Sequence, residues 1–219
     1  MAISTALHLN SNASNIHETN AILGGLEIRN YKISVEEGKT YNFGGGKNSA
    51  EFDLGVEDAA SMVHVDSLES EDIDIQADVF GKLPFEDNSI SHIRSSHCLE
   101  HASYIDTVKI LKEWNRVLKK GGRIDLWHSN FNFKAIIWVL LSILRKETNP
   151  GYVFGSHHKE YCKGHKTFFT PMLIKQNLID AGFIDVKVEK GRSIAAYKRG
   201  IGKYVQKIVW LELHAVAWK

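Results

Sequence analysis

The stretch Tyr41-Asn42-Phe43-Gly44-Gly45-Gly46-Lys47 places three glycines directly after a short β-prone run. Such glycines let the backbone turn tightly and approach a ligand with no Cβ in the way. Asp66 stands 20 positions after Gly46, at the end of the next β-prone run, Val63–Asp66. A carboxylate there can accept hydrogen bonds from both hydroxyls of a ribose. Together they point to an adenosyl cofactor. A dinucleotide fingerprint would need a third glycine where Ser49 stands, and no phosphate-binding G-x-x-x-x-G-K-[ST] occurs. Three histidines are candidate general bases: His97, His128 and His165. His128 follows a predicted strand, and ligands of open parallel sheets bind outside the carboxyl ends of strands. A plain loop hydrogen bond is the competing role for His128, and a structural tie is the expected one for His101. His157, His158, Cys162 and His165 have metal-ligand chemistry, but their spacing fits no standard zinc template, so no metal is expected.

The elements that must hold these residues alternate in type. Strands are predicted at Thr40–Phe43, Val63–Asp66, Ile90–Ser95 and Arg123–Trp127. The clearest helix is Tyr104–Lys120. Its expected apolar face is Ile105, Val108, Leu111, Asn115 and Leu118, with Lys119 and Lys120 at the dipole's negative end and Gly121 as left-handed cap. Thr170-Pro171 marks a second helix start, running to Ala181 and stopping at Gly182. Strands at Phe183–Glu189 and Leu211–Trp218 follow. Strand, helix, strand in that order predicts a parallel sheet.

Further segments sharpen the reading. Ala77-Asp78-Val79-Phe80-Gly81-Lys82-Leu83-Pro84-Phe85-Glu86-Asp87-Asn88-Ser89-Ile90 precedes Ile93-Arg94-Ser95-Ser96-His97-Cys98-Leu99-Glu100-His101. Then comes Trp114-Asn115-Arg116-Val117-Leu118-Lys119-Lys120-Gly121-Gly122-Arg123, and later Leu178–Phe183. In order and spacing these resemble the class I S-adenosylmethionine-dependent methyltransferases, type 11 branch, with sugar- and lipopolysaccharide-linked members most similar. The resemblance covers roughly Thr40 to Leu126. It implies an α/β fold: a Rossmann-like three-layer sandwich, mostly parallel, with an antiparallel C-terminal strand. It also implies S-adenosyl-L-methionine as cofactor. Asn42, Gly44, Gly45 and Gly46 would line its methionine part, Asp66 and Ser67 its ribose, Asp78 and the Val79 backbone its adenine, and Ser95 and Ser96 the region of the sulfur. Lys120 stands where the family often has proline, and Gly45 where cysteine is common.

Composition bounds the rest. The 219 residues are 43% hydrophobic and 24% charged, with 27 Lys and Arg against 26 Asp and Glu. That suits one globular domain and argues against a wholesale basic nucleic-acid binder. Cys98 and Cys162 are too few and too distant to form a disulfide framework, so a cytoplasmic location is expected. No signal peptide is read at the N-terminus. Residues 1–39 are expected to be a lead-in whose first 20 residues are loosely packed. Residues 40–219 would form the methyltransferase domain, with an acceptor-side insertion at about 131–170. The apolar run Ala135–Leu144 is too short to span a bilayer and is expected to be a buried cover helix; a homodimer face or a lipid-like acceptor surface are its alternatives. The expected reaction is in-line methyl transfer to a small-molecule or saccharide acceptor. The competing readings are a catalytically silent binding protein and methylation of nucleic acid or protein.

Overall fold

A computed structural model describes residues 16–23, 26–46, 56–68, 70–144, 154, 164–191 and 211–219. The first two strands, β1 (Ile16–Leu23) and β2 (Leu26–Ile33), form an antiparallel hairpin inside the expected lead-in. Ile33 ties it to the domain by donating its N–H to the Pro84 carbonyl at 2.8 Å.

From Thr40 the chain builds a seven-stranded sheet. Its elements are β3 (Thr40–Phe43), α1 (Val56–Ala60), β4 (Val63–Asp66), β5 (Ile75–Gln76), β6 (Ile90–Ser96), α2 (Thr107–Val117), β7 (Leu118–Ser129), α3 (Phe131–Ile143), α4 (Pro171–Asp180), β8 (Ile184–Lys190) and β9 (Glu212–Trp218). The strand order is β5-β4-β3-β6-β7-β9-β8. Pairing is parallel from β5 to β7 and antiparallel where β9 joins β7 and β8. This is the Rossmann-like sheet with antiparallel C-terminal strands expected above. The chain moves outward through β4 and β5, then returns to add β6 on the other side of β3. That reversal opens a crevice beyond the carboxyl ends of β3 and β6, where such sheets bind ligands.

Helix α2 differs from its prediction. The buried positions are Thr107, Ile110, Leu111, Trp114 and Val117, while Ile105 is exposed. The helix stops at Val117 because Leu118 turns extended and pairs with Ile90 in the sheet. Gly121 does adopt a left-handed φ of +75°, but in the bulge between Leu118 and Arg123 rather than as a helix cap. Its N–H donates to the Lys219 carbonyl at 3.0 Å. The cation at the helix end is Lys219, whose Nζ donates to the carbonyls of Asn115, Arg116 and Leu118 at 2.7, 3.1 and 2.8 Å. Helix α4 follows its prediction: Thr170 Oγ1 accepts from the Leu173 N–H at 3.2 Å, and Gly182 ends it at φ +90°.

The expectation for Ala135–Leu144 is overturned. Helix α3 has no buried residue, and Ile136, Leu140 and Ile143 stand exposed. Its start is fixed by Asn130, whose Oδ1 accepts from the Asn132 N–H. No helix among the described residues is long and apolar enough to cross a membrane.

Family-like segments also do structural work. Arg116 Nη1 donates to Phe85 O at 2.9 Å and Asp87 Oδ1 at 2.6 Å, and Nη2 to Leu83 O at 3.1 Å. One guanidinium thus ties the Leu83-Pro84-Phe85 segment to α2, and Trp114 edges onto Phe43 at a centroid distance of 5.4 Å.

Candidate functional site

The crevice begins with the glycine loop. Gly44, Gly45 and Gly46 all have positive φ, at 73°, 94° and 59°, which L side chains rarely adopt. A Cβ on Gly44 would collide with the Cys98 sulfur. The Gly45 N–H donates to Asp66 Oδ2 at 2.8 Å, and the Leu68 N–H and Ser67 hydroxyl reach Oδ1 at 3.3 Å. A carboxylate has about four lone-pair directions, so these three contacts leave one, on Oδ2, for a ligand hydroxyl, and a second hydroxyl would take over one of the long 3.3 Å contacts. Asp78 is exposed at the end of β5, and its Oδ1 accepts from the Phe80 N–H at 2.9 Å. Burial pushes the Cys98 thiol far up, and the charges of Asp66, Glu100 and Asp78 push it further. The crevice floor is therefore acidic, which suits a cationic ligand.

Several residues expected around the ligand also bond within the protein. Asn42 is buried; its Nδ2 donates to the Gly46 carbonyl at 3.3 Å and lies 3.2 Å from His64 Nδ1, while Oδ1 accepts from Arg94 at 2.8 Å. It holds the loop from behind. Ser95 is fully buried and donates to the Phe43 carbonyl at 2.8 Å, stitching β6 to β3. Val79 is buried with its carbonyl accepting from Trp114 Nε1 at 2.7 Å. Ser96 is also buried, whereas Ser67 is exposed at the rim. Gly44, Gly45, Gly46, Asp66, Ser67 and Asp78 remain grouped at the switch point.

The three candidate bases converge on a residue not singled out by sequence, Glu100. Its carboxylate is 2% exposed and accepts the Ser129 N–H at 2.7 Å. His97 Nδ1 lies 3.5 Å and His128 Nδ1 3.7 Å from Oε1, and His165 Nε2 lies 3.2 Å from Oε2. Burial opposes the charge, but the attraction of His128 and His97 outweighs it and holds Glu100 well below the usual carboxylate range. His128 itself is fully buried against Phe169, at 4.3 Å between centroids, and burial pushes its imidazole down. His101 is the expected structural tie, with Nδ1 3.0 Å from the Gly164 carbonyl. His97, 37% exposed, follows β6 in a left-handed conformation at φ +51°, beside the Cys98 that packs on the glycine loop. Its Nε2 is 3.9 Å from Glu212. A small cavity next to the cluster is lined by Glu100, Ser129, Phe131, Lys134, His165 and Phe169.

Two signals for Glu100 were visible: its place three positions after His97 and its place within the family-like segment Ile93–His101. His157, His158 and Cys162 lie outside the described residues, as do Lys47 and Ser49. Among the described residues no metal-binding group of three or more ligands occurs.

Residues 43–125 match the family model described as a methyltransferase domain. The demethylmenaquinone methyltransferase of Staphylococcus aureus is 30% identical over 146 residues, covering 62% of this chain and 54% of that one. The chain thus spans about half the length of the curated relatives it matches. A SAM-dependent methyltransferase from Archaeoglobus fulgidus superposes with a TM-score of 0.52 at 16% identity, covering 83% of this chain and 86% of that one. An S-adenosylmethionine-dependent methyltransferase from Mesorhizobium loti gives 0.54 at 15% identity, covering 83% and 90%. These structures share its fold.

Proposed function

We propose that the chain is an S-adenosylmethionine-dependent methyltransferase acting on a small-molecule acceptor. The observation that carries this reading is Asp66 at the switch point, bonded to Gly45 and able to grip a ribose. Gly44, Gly45 and Gly46 would flank the methionine part, and Asp78 would meet the adenine. The donor supplies a methyl group on a cationic sulfur, and the acidic floor made by Asp66 and Asp78 favours that charge.

The acceptor would enter between His97 and the aromatic residues Phe131 and Phe168. There the acceptor nucleophile bonds the methyl carbon as the carbon–sulfur bond breaks and the sulfonium becomes a neutral thioether. The acceptor's proton passes to His97 Nε2, with Glu212 nearby to stabilise the imidazolium. Much of the rate would come from alignment and exclusion of water. The half-buried Phe131 and Phe168 support an acceptor with a flat apolar ring; the relative named for demethylmenaquinone agrees with a quinone-type ring. A saccharide acceptor is the alternative, because sugars also present an apolar face.

Calorimetry with S-adenosylhomocysteine tests the donor site, and labelled donor with quinol and saccharide acceptors tests the chemistry. Binding together with label transfer to either acceptor class is the expected result. A chain that binds no S-adenosylhomocysteine, or that binds it and labels nothing, would defeat the reading.

A further inference from the structure

We propose that Glu100 is a positioning residue: its buried carboxylate orients His97 and His165 and strengthens the hold of His97 on a proton. The purpose rests on the methyl-transfer reading; the geometry does not.

Glu100 is reached from every side by titratable or charged groups. His97 comes from the end of β6, His128 from β7 and His165 from the segment before α4. Lys134 of α3 and Glu212 of β9 complete the surroundings, with His101 on the same turn directed to Gly164. A carboxylate this buried needs a cation beside it. His128 is a poor candidate, since burial favours its neutral form. His97 and His165 reach solvent, at 37% and 14% exposure, and both approach the carboxylate with a ring nitrogen. An imidazole whose Nδ1–H faces a carboxylate is fixed in tautomer and stabilised when protonated at Nε2.

Two further observations separate this cluster from ordinary core packing. His97 holds φ +51°, a left-handed conformation that non-glycine residues adopt rarely. Its N–H bonded to the Trp127 carbonyl at 2.9 Å keeps it there. In addition, Glu100 Oε2 and both ring nitrogens of His128 make no aligned hydrogen bond among the described residues, despite full burial. A purely structural carboxylate would be expected to complete its bonds.

The test is a titration of the histidine imidazoles by NMR in the full chain. His97 is assigned with His97→Gln, and the wild type is compared with Glu100→Gln. The expected result is a loss of about tenfold or more in the proton affinity of His97 in Glu100→Gln. S-adenosylhomocysteine should bind as in the wild type. An unchanged His97 midpoint in a folded Glu100→Gln protein would overturn the proposal. Should that variant not fold, the wild type decides: a His97 midpoint at or below that of free histidine, about 6.5, would overturn it, and a higher one supports it. A wild type that binds no S-adenosylhomocysteine but shows the His97 shift would sink the methyl-transfer reading and leave the grip of Glu100 on His97 standing.

Discussion

Asp125 and Glu100 are both buried carboxylates set among imidazoles, one midway along β7 and the other at the sheet's carboxyl edge. Asp125 is saturated. His92 Nε2 approaches Oδ2 at 2.7 Å and His214 Nε2 approaches Oδ1 at 2.7 Å, while Arg123 contacts both oxygens. The partners are themselves tied, His92 to Thr40 at 2.9 Å and His214 to Glu189 at 3.2 Å. Burial opposes its charge, but His214, His92 and Arg123 hold Asp125 far below the usual range. Glu100 has one firm bond, from Ser129, and its imidazoles stand at 3.2 to 3.7 Å. The contrast teaches how the same side chains serve two ends. A saturated cluster fixes three strands in register, whereas loosely held imidazoles keep the freedom to take and release a proton.

The largest effect should come from breaking the saturated cluster. Asp125→Ala strands Arg123 and two histidines, and a loss of about 3 kcal/mol is expected by urea unfolding, at the low end for buried pairs because Arg123 and His92 reach solvent. A loss below about 1 kcal/mol would erase the distinction. Glu100→Gln should cost less, about 1–2 kcal/mol, and should act chiefly on the pH profile of turnover, displacing its acid limb to lower pH. Asp66→Ala lies outside both clusters. It should weaken S-adenosylhomocysteine at least tenfold, about 1.4 kcal/mol, with the histidine titrations unmoved.

The smallest effect should be His128→Phe. At pH 7 stability should change by about 1 kcal/mol, because the ring shape is kept and the lost imidazole stands 3.7 Å from Glu100 without an aligned bond. Its pH dependence should change more. The His128 imidazole is depressed by burial, so it contributes stability above its unfolded value of about 6.5 and loses it as pH falls. Wild-type melting temperature should therefore drop between pH 7 and 5 more steeply than that of the variant. Parallel curves would assign the drop to other groups.

The strands β3, β4, β6, β8 and β9 and the α4 cap were legible because each depends on local signals: β-branched runs, Thr170-Pro171, Gly182. The glycine loop and Asp66 were legible through spacing along the chain. Helix α2 was placed but turned to the wrong face, since Leu118 helps both a helical stripe and a strand, and only its pairing with Ile90 decides between them. Hairpin β1–β2 was missed although Leu26-Glu27-Ile28-Arg29 alternates, because Asn20 and Asn30 interrupt the pattern within each strand. For α3, apolar composition suggested burial, yet composition says nothing about which neighbours are available to cover it.

By itself, the order of residues determined the sheet's parallel half, the position of the glycine loop and the acidic residue bonded to it, because these follow from short-range backbone preferences and motif spacing. Tertiary structure alone decided where the three candidate histidines meet. His97, His128 and His165 are far apart in the chain, and nothing local draws them together. Their meeting point is set by how β6, β7 and the segment before α4 pack around one buried negative charge, and that charge acquires its significance only when water is excluded from it.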